Sequence, residues 1–455
     1  MKRIAFDTLG CKLNQYETDS LASRFLRAGY RVVDFSEPAD CYIINTCTVT
    51  NKADRKSRNT INKAVRLAGI QTEADVLPVN RTTSSPITVI TGCFVDSHRE
   101  EMESSDRITY AVENVRKAHI FDLVNGHFNG EVVHPNSLPE GLFSYEVAER
   151  TFHTRAMVKV QDGCDNFCTF CIIPFVRGRG SSRPLPDILS DVVQMYTSGY
   201  REIVLTGVNM SRYSWEGKDF ADVVEAILET PGDFRIRISS LEPDQLNDRF
   251  LDILGHPKMC PHLHLCLQSG SERILLHMRR MYSYDEYHRI CTELRKRYPG
   301  FNITTDIIIG FPGETEEDFE RTCIAVRENQ FGHVHLFPYS KRHGTRAERM
   351  PGHLPAKEKK RRIEVLQNLS AAAKHEYRQG LIGCEQTVLV EKVFEDGSAQ
   401  GYGEHYCPVH FRMTDGSVPV RNRFYRMQIS GLMERDPGNG MDSGPLLIGE
   451  HPAAV

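Results

Sequence analysis

Gly163-Cys164-Asp165-Asn166-Phe167-Cys168-Thr169-Phe170-Cys171-Ile172-Ile173-Pro174 sets three cysteines in a C-x3-C-x2-C run within a chain of 455 residues. Three thiolates this close can grip a metal cluster while withholding a fourth ligand, and iron–sulfur clusters are usually held by four. One iron is then left open to a substrate or cofactor. The bland alternatives are three buried free thiols or a zinc site short of one ligand. The run follows a candidate strand, Ala156 to Gln161, and carboxyl ends of strands are where βα folds build their sites.

Working outward, strand-like segments recur downstream at Glu202 to Thr206, Phe234 to Ser240, His262 to Gln268, Ile303 to Ile309 and His333 to Tyr339, with helical stretches between them. Six βα units predict a partial barrel. Their carboxyl ends carry Gly207-Val-Asn209, Ser239-Ser240-Leu-Glu242-Pro243, Gln268-Ser269-Gly270 and Gly310-Phe-Pro-Gly313; Asn209, Glu242 and Gln268 from these runs, together with Arg280, are the polar cofactor candidates. His262 and His264 alternate with leucines and read first as the polar face of a strand rather than as metal ligands.

Upstream, residues 1 to 145 alternate strands (Arg3 to Leu9, Tyr30 to Asp34, Cys41 to Thr46, Ile87 to Thr91) with helices (Asn14 to Ala28, Ala53 to Leu67), an open α/β pattern. Asn14 with Glu17 reads as a helix cap. Cys11, Cys47 and Cys93 each follow the carboxyl end of a buried apolar strand, the edge at which parallel sheets bind ligands. Spacing alone would leave them as small core residues. Sharing one edge, with a second three-thiol site downstream, they read as a second cluster site.

Beyond the core, Gln386 to Gly431 breaks into short strands with Asp-Gly and glycine turns, which predicts a small β-barrel. The expected division is 1–145 (amino-terminal cluster domain), 150–380 (βα core with a basic helical linker), 381–434 (small barrel) and 435–455, a disordered tail. Thirteen cysteines behind a start with no apolar leader argue for reduced thiols and a cytoplasmic location. No segment has the apolar length of a bilayer span, so no membrane role is expected. The formal charge is −4, yet Lys341 to Gly380 holds eleven Lys and Arg against four Glu. Lys357, Lys359, Lys360, Arg361 and Arg362 in that stretch read either as a solvated helix face or as phosphate contacts.

The Cys164–Cys171 run resembles the radical-SAM superfamily. Thr8-Leu-Gly-Cys11-Lys-Leu-Asn14, Asn45-Thr-Cys47-Thr-Val-Thr-Asn-Lys-Ala-Asp54, Thr91-Gly-Cys93, the run through Arg177-Gly178 and the terminal β segment together resemble the methylthiotransferase family, whose last domain is a TRAM RNA-binding barrel. The resemblance implies that residues 150–380 are a radical-SAM core. It also implies two 4Fe-4S clusters, one on Cys11, Cys47 and Cys93 that carries or receives sulfur, the other on Cys164, Cys168 and Cys171 that cleaves S-adenosylmethionine. The segments around Cys47 and Gln161 are similar to the members acting on N6-threonylcarbamoyladenosine beside the tRNA anticodon. The implied partners are a tRNA anticodon stem-loop, an electron donor and a sulfur source. Isopentenyladenosine tRNA or a ribosomal protein are the alternative substrates, and an RNA-binding iron–sulfur sensor is the alternative of a different class. The chain departs from the family pattern in an expanded Gly69 to Pro86, in Phe94-Val-Asp96 and in Cys266 where a proline is usual.

Overall fold

The structure, a computed structural model, describes residues 1–74, 86–131, 133–148, 154–434 and 444–455. Most of the expanded Gly69–Pro86 stretch lies outside them. The chain forms two compact units: Met1–Phe152 with Gln161–Arg183 and Ser340–Glu348, and His153–Val160 with Pro184–Tyr339 and Arg349–Val455. The second cysteine run therefore belongs to the first unit, together with the amino-terminal sheet.

That sheet has β1 (Arg3–Thr8), β2 (Arg31–Val33), β3 (Cys41–Thr46), β4 (Ile87–Gly92) and β5 (Tyr110–Val112) in the order β2-β1-β3-β4-β5, with every pairing parallel. All six residues of β3 and of β4 are buried, as expected of central parallel strands covered on both faces. Ala5, Tyr42, Ile44 and Ile90 pack on one face against Ile61 and Ala64 of the helix Asn51–Ala74, and Ile4, Ile43 and Val89 pack on the other against Phe25 and Leu123. The helix after β1 runs Lys12–Arg27, and its N-cap is Cys11 with no side-chain cap bond. Asn14 and Glu17 therefore do not cap it. Both are buried inside the first turns with distant partners described below.

The second unit takes β6 (Ala156–Lys159), after which the first unit takes the antiparallel pair β7 (Gln161–Asp162) and β8 (Ser181–Ser182). Then follow β9 (Glu202–Thr206), β10 (Arg235–Ile238), β11 (His262–His264), β12 (Asn302–Ile309) and β13 (His333–Pro338). They form two parallel three-stranded sheets, β10-β9-β6 and β11-β12-β13, joined by parallel bridges Ile236↔Met259 and Leu241↔Leu265. The result is the partial six-stranded barrel. Its crossover helices start on local signals: Asp219 with Asp222, Ser283 with Glu286 and Thr315 with Asp318 each close a capping box.

The last strands, β14 (Glu385–Val393), β15 (Ala399–Tyr402), β16 (Pro408–Phe411), β17 (Phe424–Met433) and β18 (Leu446–Ala454), close a barrel in the order β14-β15-β16-β18-β17. Of the disordered tail expected at 435–455, residues 435–443 lie outside the described residues and the remainder is corrected: β18 completes the barrel by pairing with both β16 and β17, and Leu447 lies in its core with Val388, Val409 and Ile429. Within this unit the turn after β15 meets the amino ends of β10 to β12. Arg235 donates to the Thr387 and Tyr402 carbonyls and Arg237 to those of Gly403 and Glu404, while Glu202 pairs with both guanidinium groups. Tyr406 lies under Arg237 and beside His262. No helix among the described residues is long and apolar enough to cross a membrane.

Candidate cluster and cofactor sites

In the first unit β1, β3 and β4 are adjacent and parallel, so Cys11, Cys47 and Cys93 leave the same edge of the sheet side by side. Gly92, at φ +99°, makes the approach possible: a Cβ there would stand 2.4 Å from the Thr46 carbonyl oxygen. Cys47 and Cys93 are buried and Cys11 is exposed. Burial pushes the Cys47 thiol up to about 12, and the charges of Cys93 and Cys11 push in the same direction. Burial likewise raises Cys93, against the pull of Arg177 and Lys117. The Asn114 amide nitrogen reaches the Cys93 sulfur at 3.7 Å and donates to the Val176 carbonyl at 3.0 Å.

Cys164, Cys168 and Cys171 lie in the loop between β7 and β8. Gly163, at φ +68°, starts the loop where a Cβ would fall 2.0 Å from the Arg179 carbonyl oxygen. The Cys164 amide donates to the Gly178 carbonyl (3.1 Å), the Cys171 amide to the Cys168 carbonyl (3.0 Å), and the Asn166 amide points at the Cys164 sulfur (3.5 Å). Cys168 is buried and the other two are half-buried. Ile172 and Val176, in the same loop after the last of these cysteines, pack with Cys93 in one apolar cluster.

A buried polar network joins the two cysteine sets. Arg177 donates through Nη1 to Glu17 (3.1 Å) and Asp162 (2.9 Å), and through Nη2 to Asn14 Oδ1 (2.6 Å). Lys117 donates to Glu17 (2.7 Å) and Asn45 Oδ1 (3.0 Å). Two cations thus face two carboxylates, the arrangement that makes buried charges tolerable. Sequence reasoning misses Lys117 and misreads Asn14 and Glu17; a fully buried lysine gives no local signal. Asp96, part of the unusual Phe94-Val-Asp96 segment, accepts from the Asn114 side chain at 2.7 Å, and burial lifts its carboxyl to about 7.

In the second unit the candidate cofactor residues fall together in part. Arg280 pairs with Glu242, its Nε donates to the Tyr282 hydroxyl (2.9 Å), and that hydroxyl donates to the Cys266 and Leu267 carbonyls (2.7 and 2.9 Å). Gln268 follows at once, with a left-handed backbone at φ +71° and its amide on the Asp306 carbonyl. Asn209 is buried at the end of β9, close in sequence to Ser211, whose hydroxyl donates to the Glu242 carbonyl (2.8 Å). At the end of β12 the Gly310 amide donates to Glu314, which Arg362 pairs. Arg362 is buried, Arg361 pairs with Glu316 and Glu358, and Lys359 donates to the Tyr339 carbonyl. Most of the basic stretch is therefore occupied by internal pairing, and Arg362 is neither a solvated face nor a phosphate contact. Lys357 and Lys360 are both exposed, with Lys360 near Glu364.

Comparison with known proteins agrees with this architecture. Residues 158–324 match the radical SAM superfamily, and residues 3–112 match uncharacterized protein family UPF0004. The fold is similar to that of TsrM, a radical S-adenosylmethionine methyltransferase from Kitasatospora setae, with a TM-score of 0.54 and 14% identity over 74% of this chain and 75% of that one. A partial βα barrel with a three-cysteine run defines a radical-SAM enzyme, a class that works with a 4Fe-4S cluster and S-adenosylmethionine. The chain is 38% identical to threonylcarbamoyladenosine tRNA methylthiotransferase MtaB of Thermotoga maritima over 95% of its length and 96% of that protein, and 35% identical to MtaB of Bacillus subtilis over 92% of each. It is also 33% identical to tRNA-2-methylthio-N(6)-dimethylallyladenosine synthase of Chromobacterium violaceum, over 86% of this chain and 88% of that one. The chain belongs to the radical-SAM methylthiotransferase family.

Proposed function

We propose that this enzyme replaces the hydrogen on carbon 2 of N6-threonylcarbamoyladenosine in tRNA with a methylthio group. The observation that carries the reading is the identity to MtaB proteins along nearly the whole chain, which takes in both cysteine sets. Cys164, Cys168 and Cys171 would hold the cluster that cleaves S-adenosylmethionine, and Cys11, Cys47 and Cys93 a second cluster that supplies sulfur. The donor sets fit: among the described residues each offers three thiols with no fourth cysteine in its loop or at its sheet edge, and backbone or amide N–H groups aim at Cys164 and Cys93. When bound, the first cluster supplies the electron that yields a 5'-deoxyadenosyl radical, able to take hydrogen from a carbon that acid–base chemistry cannot open.

The protein's part is placement. Asn114 and Arg177 tie the Cys164–Cys171 loop to the sheet edge that carries the other three thiols. Asn209, Glu242, Gln268 and Arg280 are the proposed cofactor contacts, with Glu242 and Arg280 acting as a pair. The substrate base must lie outside a duplex to be reached, which suits an anticodon-loop nucleotide. An electron donor and a sulfur source complete the reaction, and a cytoplasmic setting suits reduced thiols.

Anaerobically reconstituted protein is expected to carry about eight irons per chain, falling to about four when Cys164, Cys168 and Cys171 are replaced by Ala. Turnover is measured on anticodon stem-loops carrying threonylcarbamoyl or isopentenyl adenosine. Full iron in the triple variant removes the cluster assignment; equal turnover on both stem-loops removes the substrate assignment.

A further inference from the structure

One face of β11–β13 is polar in a way the reaction above does not use. Along β12, Ile303, Thr305, Ile307 and Ile309 are fully buried on one side, so Thr304, Asp306 and Ile308 point to the other. Register carries that second face across the neighbouring strands: His264 and His333 stand opposite Thr304, His335 opposite Asp306, and Phe337 opposite Ile308. His264 Nε2 lies 3.3 Å from Asp306 Oδ1, and its Nδ1 lies 3.0 Å from the Thr304 hydroxyl. His335 is 5.5 Å from His264 and 4.3 Å from His333, ring centre to ring centre.

The exposure of these groups rises along the face. The His264 side chain is 12% exposed and that of Asp306 29%, Phe337 is 40% exposed, and His335 also reaches the surface. Burial alone would raise the Asp306 carboxyl, but the neighbouring His264, then His335 and His333, hold it below its ordinary value. Asp306 is therefore a carboxylate with imidazoles on two strands, beside an open aromatic ring. At the foot of the same strands the His262 ring meets Tyr406, and Asn302 donates to the His405 carbonyl, so the face is closed at that end and open toward Phe337.

We propose that this face is the subsite for the threonine half of the substrate's N6 substituent, with His335 toward its carboxylate, His264 holding Asp306 in place, Asp306 accepting from the substituent's hydroxyl or urea N–H, and Phe337 under the base. The inference rests on the substrate reading above and deepens it. A threonylcarbamoyl group presents one anion and several donors, and the face presents the exposed imidazole of His335 and the Asp306 carboxylate on neighbouring strands. An isopentenyl group offers none of these and would cover the polar face with hydrocarbon, which is how polar pockets reject apolar analogues by large factors. The face thus supplies a physical reason for choosing between the two tRNA substrates of otherwise similar relatives.

The test compares His335→Ala and Asp306→Asn with the wild-type holoenzyme on two stem-loops, one with the free threonyl carboxylate and one with its methyl ester. Iron content and unfolding midpoint serve as fold controls, and His335, being exposed, is the safer substitution. Wild type is expected to lose about 100-fold in kcat/KM on the ester, while His335→Ala treats acid and ester within about threefold of each other, as removal of a pairwise interaction requires. Equal discrimination by wild type and His335→Ala overturns the inference and leaves the substrate reading standing. Because the ligand atoms of His264, Asp306 and His335 lie within 4.8 Å of one another, the three could instead grip a divalent cation. Stoichiometric Zn2+ retained by wild type and absent from His335→Ala would also overturn it. Failure of wild type to modify the free acid at all is a different result, and removes the substrate reading itself.

Discussion

Arg177 shows what a single residue does here. Its guanidinium is buried, meets Asp162 and Glu17 together, and also bonds Asn14. Replacing it with Met strands Asp162 and half of the Glu17 pairing in a place water does not reach. Removal of one partner from such a network costs about 3–5 kcal/mol, against about 1 for an exposed pair. Urea unfolding of cluster-free Arg177→Met should show that loss, and a change below about 1 kcal/mol would mean that the network is not holding the loop to the sheet. The same network explains what the sequence discloses. The Cys164–Cys171 run is readable because its chemistry is contained in consecutive residues, whereas Asn14 and Glu17 look like a cap because of their close spacing. Their true partner lies 163 and 160 residues away, and only the folded chain brings it there.

At the scale of elements, β3 and β9 are legible with their observed bounds because a continuous apolar run marks a strand buried on both faces. β5 has three residues and β18 contains Glu450, His451 and Pro452, so neither carries a pattern strong enough to read alone; each exists because a neighbouring strand offers it an edge. The turn after β15 gives a prediction at this scale. His405 accepts or donates at Nδ1 with Gln386 (2.8 Å), and burial, then Arg237 and Arg235, push its imidazole down to about 4. A histidine kept neutral in the fold binds its proton more readily when unfolded. Its contribution is therefore complete above about pH 6.5 and is lost as the pH falls toward about 4. Wild type should lose stability relative to His405→Gln as the pH drops from about 7 to about 4.5, measured by denaturant midpoints. Parallel curves for the two proteins would show that His405 does not sense that window.

Across the whole molecule, the small barrel has two consequences that a reading of separate domains does not anticipate. Its carbonyl groups satisfy Arg235 and Arg237, so deletion after Gly380 would strip partners from two buried guanidinium groups as well as remove the small barrel itself. A loss of tRNA affinity in that truncation would report the damaged barrel floor as much as docking. Charge reversal on the outer surface separates the two. Arg421 and Arg423 are exposed on the approach to β17, next to the exposed Val418 and Val420, and neither belongs to the barrel core. If this surface meets the tRNA backbone, Arg421→Glu with Arg423→Glu should keep the iron content and unfolding midpoint of wild type while weakening tRNA binding about tenfold near 0.1 M salt. The slope of log affinity against log salt should flatten by about one for each phosphate the variant no longer neutralises. Because backbone binding positions the RNA without reading bases, the preference for threonylcarbamoyl over isopentenyl stem-loops should not change. An unchanged salt slope would move tRNA docking to another surface, and a changed substrate preference would mean that the small barrel takes part in reading the modified base.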